Sequence, residues 1–311
     1  MDWRIKAAIQ KILSLSALGD SLNHATITFD KHYHRNVVLY QTHECLRKFS
    51  YCTADLNRKA ALEIGTGYSL ISAIVLSLIG FEKIVTVDVT KDIRFKTFRK
   101  QIHYFEDDQF LEEIYSKSTR SKEEINQKIN FLKHQTTFET VFGFLNITYI
   151  APYQFADIDN LETQFDYIAS QVVLEHIPQP ILDRMFEKTK QWLNPDGFCV
   201  HTINFIDHFA NPGFFQDKRI SEFNFLKYSD QYWAFWAGNP IAFTNRLSYL
   251  YYLELAKKHG LQIIDFVGEN YRKRIELNTD LIHPDVIKKY DSVIEIGNLT
   301  KFQRGTLILK K

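Results

Sequence analysis

The 311-residue chain is long enough for one large α/β domain with insertions or two smaller ones, and its 45% hydrophobic content supplies an ordinary core. A formal net charge of +1, with acids and bases interleaved, offers no basic stripe for nucleic acid and no acidic tail. Cys45, Cys52 and Cys199 are too few and too scattered for a disulfide framework or a zinc cluster, which points to a reducing, cytoplasmic setting.

Ile5, Ala8, Ile9, Ile12, Leu13 and Leu15 recur at helical spacing, and Leu18-Gly19-Asp20 reads as a stop. This opening mixes charge with apolar residues and does not read as a signal peptide. The chain continues helical and polar to about Asn57, so residues 1–57 are expected to form an N-terminal helical cap. Ala60–Ile64 is a short apolar run halted by glycine, hence a buried strand. Leu70–Leu78 is apolar on nearly every side, as a helix covering a parallel sheet would be. Ile84–Val89 is the next strand and completes a β-α-β unit. The longest uncharged apolar run, Tyr68 to Phe81, is too short to cross a bilayer.

From Thr90 the sequence turns charged and helical, and an interrupted helical insertion with a solvated face is expected at about 104–140. Asn146–Ile150 and Phe165–Ala169 read as the third and fourth strands. Pro180 sits in the first turn of a helix that ends at Trp192. Asn194-Pro-Asp-Gly197 is a turn leading into a fifth strand, Phe198–Ile203. The aromatic, irregular stretch at about 207–245 is expected to be a lid insertion. Leu247–Lys258 is a helix stopped by Gly260, Leu261–Phe266 a sixth strand, and Gly305–Lys311 a last edge strand. This alternation predicts an α/β fold over residues 58–311. It is a Rossmann-like, doubly wound sheet of about seven strands with helices on both faces.

The turn Glu63-Ile-Gly-Thr-Gly67 carries the first chemical signal. Glycine permits the sharp turn from strand to helix and lets a ligand approach the backbone. Asp88, roughly twenty residues on, ends the neighbouring strand, where an acid can accept both hydroxyls of a ribose. A dinucleotide fingerprint would need glycine where Leu70 stands, and no Walker lysine is present. Glu63 would repel phosphates but suits an ammonium group. Adenosine, ribose and an amino acid are combined in S-adenosylmethionine.

At this point the sequence resembles the class I S-adenosylmethionine-dependent methyltransferases. The resemblance rests on ALEIGTGYS, IVTVDV, FDYIASQVVLEHIPQPILDRMFEKTKQWLNPDGFCV and NRLSYLYYLELAKKHGLQII, and covers most of residues 58–267. It implies that Glu63, Gly65, Thr66 and Gly67 line the methionine end of the cofactor and that Asp88 holds the ribose. It further implies that Gln154 and Phe155 contact adenine, and that Ser170 and Gln171 sit beside the sulfonium. Ser69 stands where the family often has a third glycine. NFIDHF, FNFLKYSD and NRLSYL are similar to segments of enzymes that serve glycan or secondary-metabolite assembly.

Asp207 and His208 follow the fifth strand at the ligand-binding edge of such sheets, where an acid beside a histidine could deprotonate a hydroxyl. His176 is a further catalytic candidate, although a structural role in its loop suits it as well. Tyr228, Trp233, Trp236 and the nearby Tyr232 read as a lid, a substrate wall or a second small core. Arg246 could pair with a substrate carboxylate or phosphate. No metal site is expected. The expected activity is methyl transfer to O or N of a small molecule or a glycan or secondary-metabolite intermediate. A peptide-directed enzyme, a non-catalytic scaffold and an NAD(P)-dependent oxidoreductase are the alternatives.

Overall fold

The structure, a computed structural model, describes residues 1–15, 32–154, 161, 164–210, 216–272, 275–290 and 294–311. Among the described residues, seven strands form one mixed sheet in the order β3-β2-β1-β4-β5-β7-β6. They are β1 (Ala60–Ile64), β2 (Lys83–Val87), β3 (Ile147–Ile150), β4 (Phe165–Gln171), β5 (Leu193–Asn204), β6 (Gln262–Glu269) and β7 (Arg304–Lys310). The first five run parallel, and β7 is antiparallel to both β5 and β6.

Side chains alternate across a strand, and the two resulting faces feed two separate cores. Leu62, Ile64, Val85 and Ile168 join one core, with Leu182, Met185 and Phe186 from α8 (Gln179–Trp192) and Tyr252 and Leu255 from α10 (Tyr249–Lys258). Ala61, Ile84, Tyr167 and Val200 join the other. There they meet α2 (Tyr33–Phe49) and the apolar α3 (Ile71–Leu78). The sheet is therefore doubly wound and Rossmann-like, as expected.

The stretch between β2 and β3 holds four helices: α4 (Phe95–Ile102), α5 (Asp108–Lys117), α6 (Lys122–Lys133) and α7 (Phe138–Leu145). Its sequence reads as solvated, yet Phe98, Phe110, Ile125, Leu132 and Val141 are buried in the second core. Ser121 and Glu124 form a reciprocal capping box that starts α6.

Two strand expectations change. The Asn194–Gly197 turn lies inside β5, where pairing jumps from Phe165↔Leu193 to Tyr167↔Phe198, so the turn residues bulge from the strand. The C-terminal strand is not an edge. Residues 305–309 are buried, with Leu307 and Leu309 in one core and Ile308 in the other. Such a two-sided apolar strand belongs inside a sheet, and the more exposed β6, with Gln262 and Asp265, takes the edge.

The N-terminal segment divides between two places. α1 (Trp3–Ser14) starts on the Asp2 carboxylate, which accepts from Arg4 N at 2.9 Å, and Trp3 N donates to Asp217 Oδ2 at 3.1 Å. It packs on α9 (Asp230–Ala237). Among the described residues, no helix is long and apolar enough to cross a membrane.

Candidate active site

A cavity of about 440 Å³ opens at the carboxyl ends of β1, β2 and β4, beneath α2. Its floor is the β1–α3 turn. Gly65 and Gly67 have φ of +86° and +61°, in the left-handed region that favours glycine. Gly65 N and Thr66 N both donate to Val87 O, at 2.8 and 3.3 Å, tying the turn to β2. A Cβ on Gly65 would lie 2.3 Å from Val173 Cγ2, whereas one on Gly67 would meet nothing within 4 Å. The first glycine is required by packing, and the second keeps open space over the backbone.

Asp88, at the end of β2, is 9% exposed and lines the same cavity. Its Oδ2 accepts from Gly67 N at 2.7 Å and its Oδ1 from Thr90 N at 3.0 Å. Each carboxylate oxygen has two lone pairs, so Oδ2 retains acceptor capacity.

Glu63 projects toward the α2 face of the sheet. Thr86, directly opposite on β2, donates from Oγ1 to Glu63 Oε2 at 2.7 Å, and Thr66 Oγ1 lies 2.5 Å from Thr86 Oγ1. Burial raises the Glu63 carboxyl, and Thr86 and the Lys48 charge oppose that shift. Burial likewise lowers the Lys48 ammonium, against the pull of Glu63 and Glu44. Lys48 Nζ donates to Gln171 Oε1 at 2.8 Å, while Gln171 Nε2 donates to Tyr40 OH and Glu44 Oε2, each at 3.0 Å. Burial works against ionised Glu44, but the Arg47 hydrogen bond and charge outweigh it and hold the carboxyl below its ordinary value.

Tyr40, Glu44 and Lys48 line the cavity and were absent from the sequence-derived candidates. Their signal was present. Tyr33, Val37, Tyr40, Glu44 and Lys48 recur at the spacing of one helical face. Val172 was also missed. It is a β-branched residue with φ +55°, held beyond the end of β4 by its N–H on Thr202 O at 2.8 Å.

A family model described as a methyltransferase domain matches residues 37–265, most of the chain. The chain belongs to this methyltransferase family. It is an enzyme that takes its methyl group from S-adenosylmethionine. No curated protein matches the sequence. Similar solved structures include an S-adenosylmethionine-dependent methyltransferase from Leishmania major, at 12% identity over 99% of this chain and 83% of that one, with a TM-score of 0.45. A cyclopropane-fatty-acyl-phospholipid synthase-like protein from Lactobacillus casei has 12% identity over 91% and 94%, with a TM-score of 0.48. PKMT2 from Rickettsia typhi, in complex with AdoHcy, has 16% identity over 87% and 52%, with a TM-score of 0.42.

The methyltransferase brings Glu63, Gly65, Thr66, Gly67, Asp88, Gln171 and His176 to one cavity. Ser170 is not among them. Neighbouring strand residues face opposite sides of the sheet, so with Gln171 on the cavity side Ser170 points into the other core. There it lies 2.8 Å from His201 Nδ1 and is 1% exposed. Gln154 is exposed and does not line the cavity, and Phe155 lies outside the described residues.

Asp207 and His208 part company. The Asp207 carboxyl is fully buried, accepts from Phe209 N at 2.8 Å and Asn224 Nδ2 at 3.4 Å, and is pushed up to about 7 by burial. It closes its own turn and does not line the cavity, so it is not placed as a base for an acceptor there. His208 instead turns its ring toward His176, with centroids 4.9 Å apart. His176 Nδ1 lies 2.9 Å from Phe243 O, and a carbonyl only accepts, so Nδ1 carries the proton and Nε2 the lone pair. Burial lowers the His208 imidazole to about 3.

Tyr228, Trp233 and Trp236 surround Trp3, with ring centroids 5.4, 5.5 and 6.0 Å from it. They pack into the first of the two sheet cores, not a separate small one, and leave the cavity to other residues. Arg246, 2% exposed, donates to Phe225 O and Tyr228 O at 2.8 and 2.7 Å and pairs with Asp230. A guanidinium so engaged is not available to a substrate anion.

Proposed function

We propose that the enzyme methylates O or N of a small molecule, a class that includes glycan and secondary-metabolite intermediates, in the cavity beneath α2. Asp88 would hold the ribose hydroxyls. The open backbone at Gly67 would admit the ligand, and Glu63 would face the ammonium of the methionine moiety. The residues fit that group. Gly67 leaves a space that any Cβ would enter, Asp88 retains acceptor capacity, and the cavity is of ordinary ligand size. Gln171 would lie nearest the transfer point, oriented by Lys48, Tyr40 and Glu44.

Bound S-adenosylmethionine supplies a sulfonium methyl already activated for in-line displacement. The work left to this chain is alignment and exclusion of water. Gln171, fixed by hydrogen bonds to three α2 side chains, can hold a polar acceptor in a set direction. His176 Nε2, unprotonated by virtue of the Phe243 contact, can accept the acceptor's proton.

One observation favours a small acceptor over a peptide. The aromatic surface that would have made a peptide groove is filled by Trp3. A reducing, cytoplasmic setting suits the unpaired Cys45, Cys52 and Cys199.

Calorimetric titration with S-adenosylhomocysteine, NAD and NADP tests the cofactor residues, and radiolabelled methyl transfer into small-molecule and protein fractions of an extract tests the acceptor. Micromolar S-adenosylhomocysteine binding with label in the small-molecule fraction is expected. Label confined to protein would refute the acceptor class.

A further inference from the structure

Next to the cavity, the loop after β4 and the loop after β5 bring Glu175, His176 and His208 together. One potential ligand atom from each lies within 4.8 Å of the other two. Glu175 is 3% exposed, yet neither carboxyl oxygen makes a hydrogen bond of acceptable geometry; only the amides of Glu175 and Asn204 face it. His208 Nε2 is buried without a hydrogen-bond partner. Three unsatisfied polar atoms on two side chains are expensive, because each forfeits its bonds to water. They also do not satisfy one another, since no hydrogen bond joins Glu175 to His208.

His176 completes the set in a particular way. Its Nδ1–H is spent on the Phe243 carbonyl, which fixes the ring and leaves Nε2 as a lone pair. Metal-binding histidines are oriented in this manner by a backbone carbonyl on their second nitrogen. The backbone around the cluster is also held, by Asn245 N on Glu175 O at 2.8 Å and by Lys6 Nζ on His208 O at 3.3 Å.

We propose that Glu175, His176 and His208 form a binding site for a divalent transition-metal ion, zinc in the first instance. Two imidazoles and one carboxylate are the donor set of catalytic zinc sites that keep an open position. Around zinc, tetrahedral ligands sit roughly 3.4 Å apart, so side-chain rotation of about 1 Å closes the cluster on the ion. His176 lines the cavity, so the open position faces it. If the proposed acceptor reading holds, that position would take the acceptor's oxygen. The ion would then replace His176 Nε2 as the group that favours loss of the acceptor's proton, since the single Nε2 lone pair is committed to the metal. The site itself does not depend on that reading.

The test is titration of chelator-treated full-length protein with Co²⁺, followed by visible absorption and displacement with Zn²⁺. One equivalent is expected, with the spectrum of a nitrogen and oxygen site of low coordination number. Glu175→Gln and His208→Gln should each weaken binding at least hundredfold. S-adenosylhomocysteine affinity, measured on the same samples, reports whether each variant is folded and separates this question from that of the cofactor. Failure of the wild-type protein to bind one equivalent would overturn the proposal. So would a thiolate-to-cobalt band, which needs no variant to interpret, or tight binding that survives both substitutions.

Discussion

Alanine at Gly65 and at Gly67 should separate packing from ligand access in a single turn. Each residue has positive φ, which costs an L-residue about 1–2 kcal/mol. At Gly65 a new Cβ also lies 2.3, 3.2 and 3.3 Å from Val173 Cγ2, Cγ1 and Cβ. Displacing that side chain adds about 1–3 kcal/mol. Gly65→Ala should therefore lose about 2–5 kcal/mol in urea unfolding, against about 1–2 kcal/mol for Gly67→Ala. The order reverses for ligand: the Gly67 methyl enters open cavity and should weaken S-adenosylhomocysteine binding more per unit of stability lost. Val173→Ala removes the two Cγ atoms that clash, so Gly65→Ala should be tolerated better on that background. A double-mutant cycle should give a favourable coupling of about 1–3 kcal/mol. Additivity within about 0.5 kcal/mol would refute the steric reasoning. Equal stability losses at the two glycines, with ligand affinity untouched at Gly67, would refute the account of the turn.

Asp88→Ala removes a charged acceptor worth about 1.5–3 kcal/mol, so S-adenosylhomocysteine affinity measured by calorimetry should fall at least about tenfold. His201 is fully buried between Ser170 and Cys199, and burial lowers its pKa to about 3, below the ordinary value of 6.5. Below pH 6.5 the unfolded chain binds a proton that the folded one refuses. Its contribution is thus present above that pH and lost as pH falls toward 3, at about 1.4 kcal/mol per unit. His201→Gln should flatten that acid limb by one proton in urea titrations run from pH 7 to 4, and an unchanged slope would count against a buried neutral imidazole. Trp3→Ala should cost about 3–5 kcal/mol and leave residues 1–15 open to limited proteolysis. S-adenosylhomocysteine affinity should stay within about twofold, because the aromatic cluster is core and not cavity wall.

The parts of the fold written in local pattern were legible. Ala60–Ile64 halts at a glycine that packing requires, Leu70–Leu78 is apolar all round because it is buried, and Asp88 ends the neighbouring strand. What was not legible depends on distant partners. The TLIL run of β7 signals a buried strand, but not that it inserts antiparallel between β5 and β6. Ser170 and Gln171 are equivalent in the sequence until strand parity assigns them to opposite faces. Asp207 and His208 are adjacent in the chain, yet one carboxyl caps its own turn while the neighbouring ring meets His176. Tyr40, Glu44 and Lys48 share one face of α2, but a sequence does not say which face the sheet will cover. Trp3 gave no hint that it fills the space between Tyr228, Trp233 and Trp236.

The charges on α2 carry the last step. Removing Glu44, Lys48 and Glu63 from water works against folding, and a buried ion pair rarely returns more than it loses. An apolar face on α2, packed on β1 and β4, would be the more stable solution. Instead the three side chains, with Gln171 between two of them, sit at the carboxyl edge of the sheet around one cavity. Arg47 and Arg304 stand behind Glu44, at 2.8 and 3.9 Å, and Glu269 pairs with both cations. The polar layer is thus braced from β6 and β7, the strands farthest from the glycine turn. That arrangement holds Gln171 in one orientation from several directions. It is the rigidity an enzyme needs when its cofactor already carries the activated group and only alignment remains to be supplied.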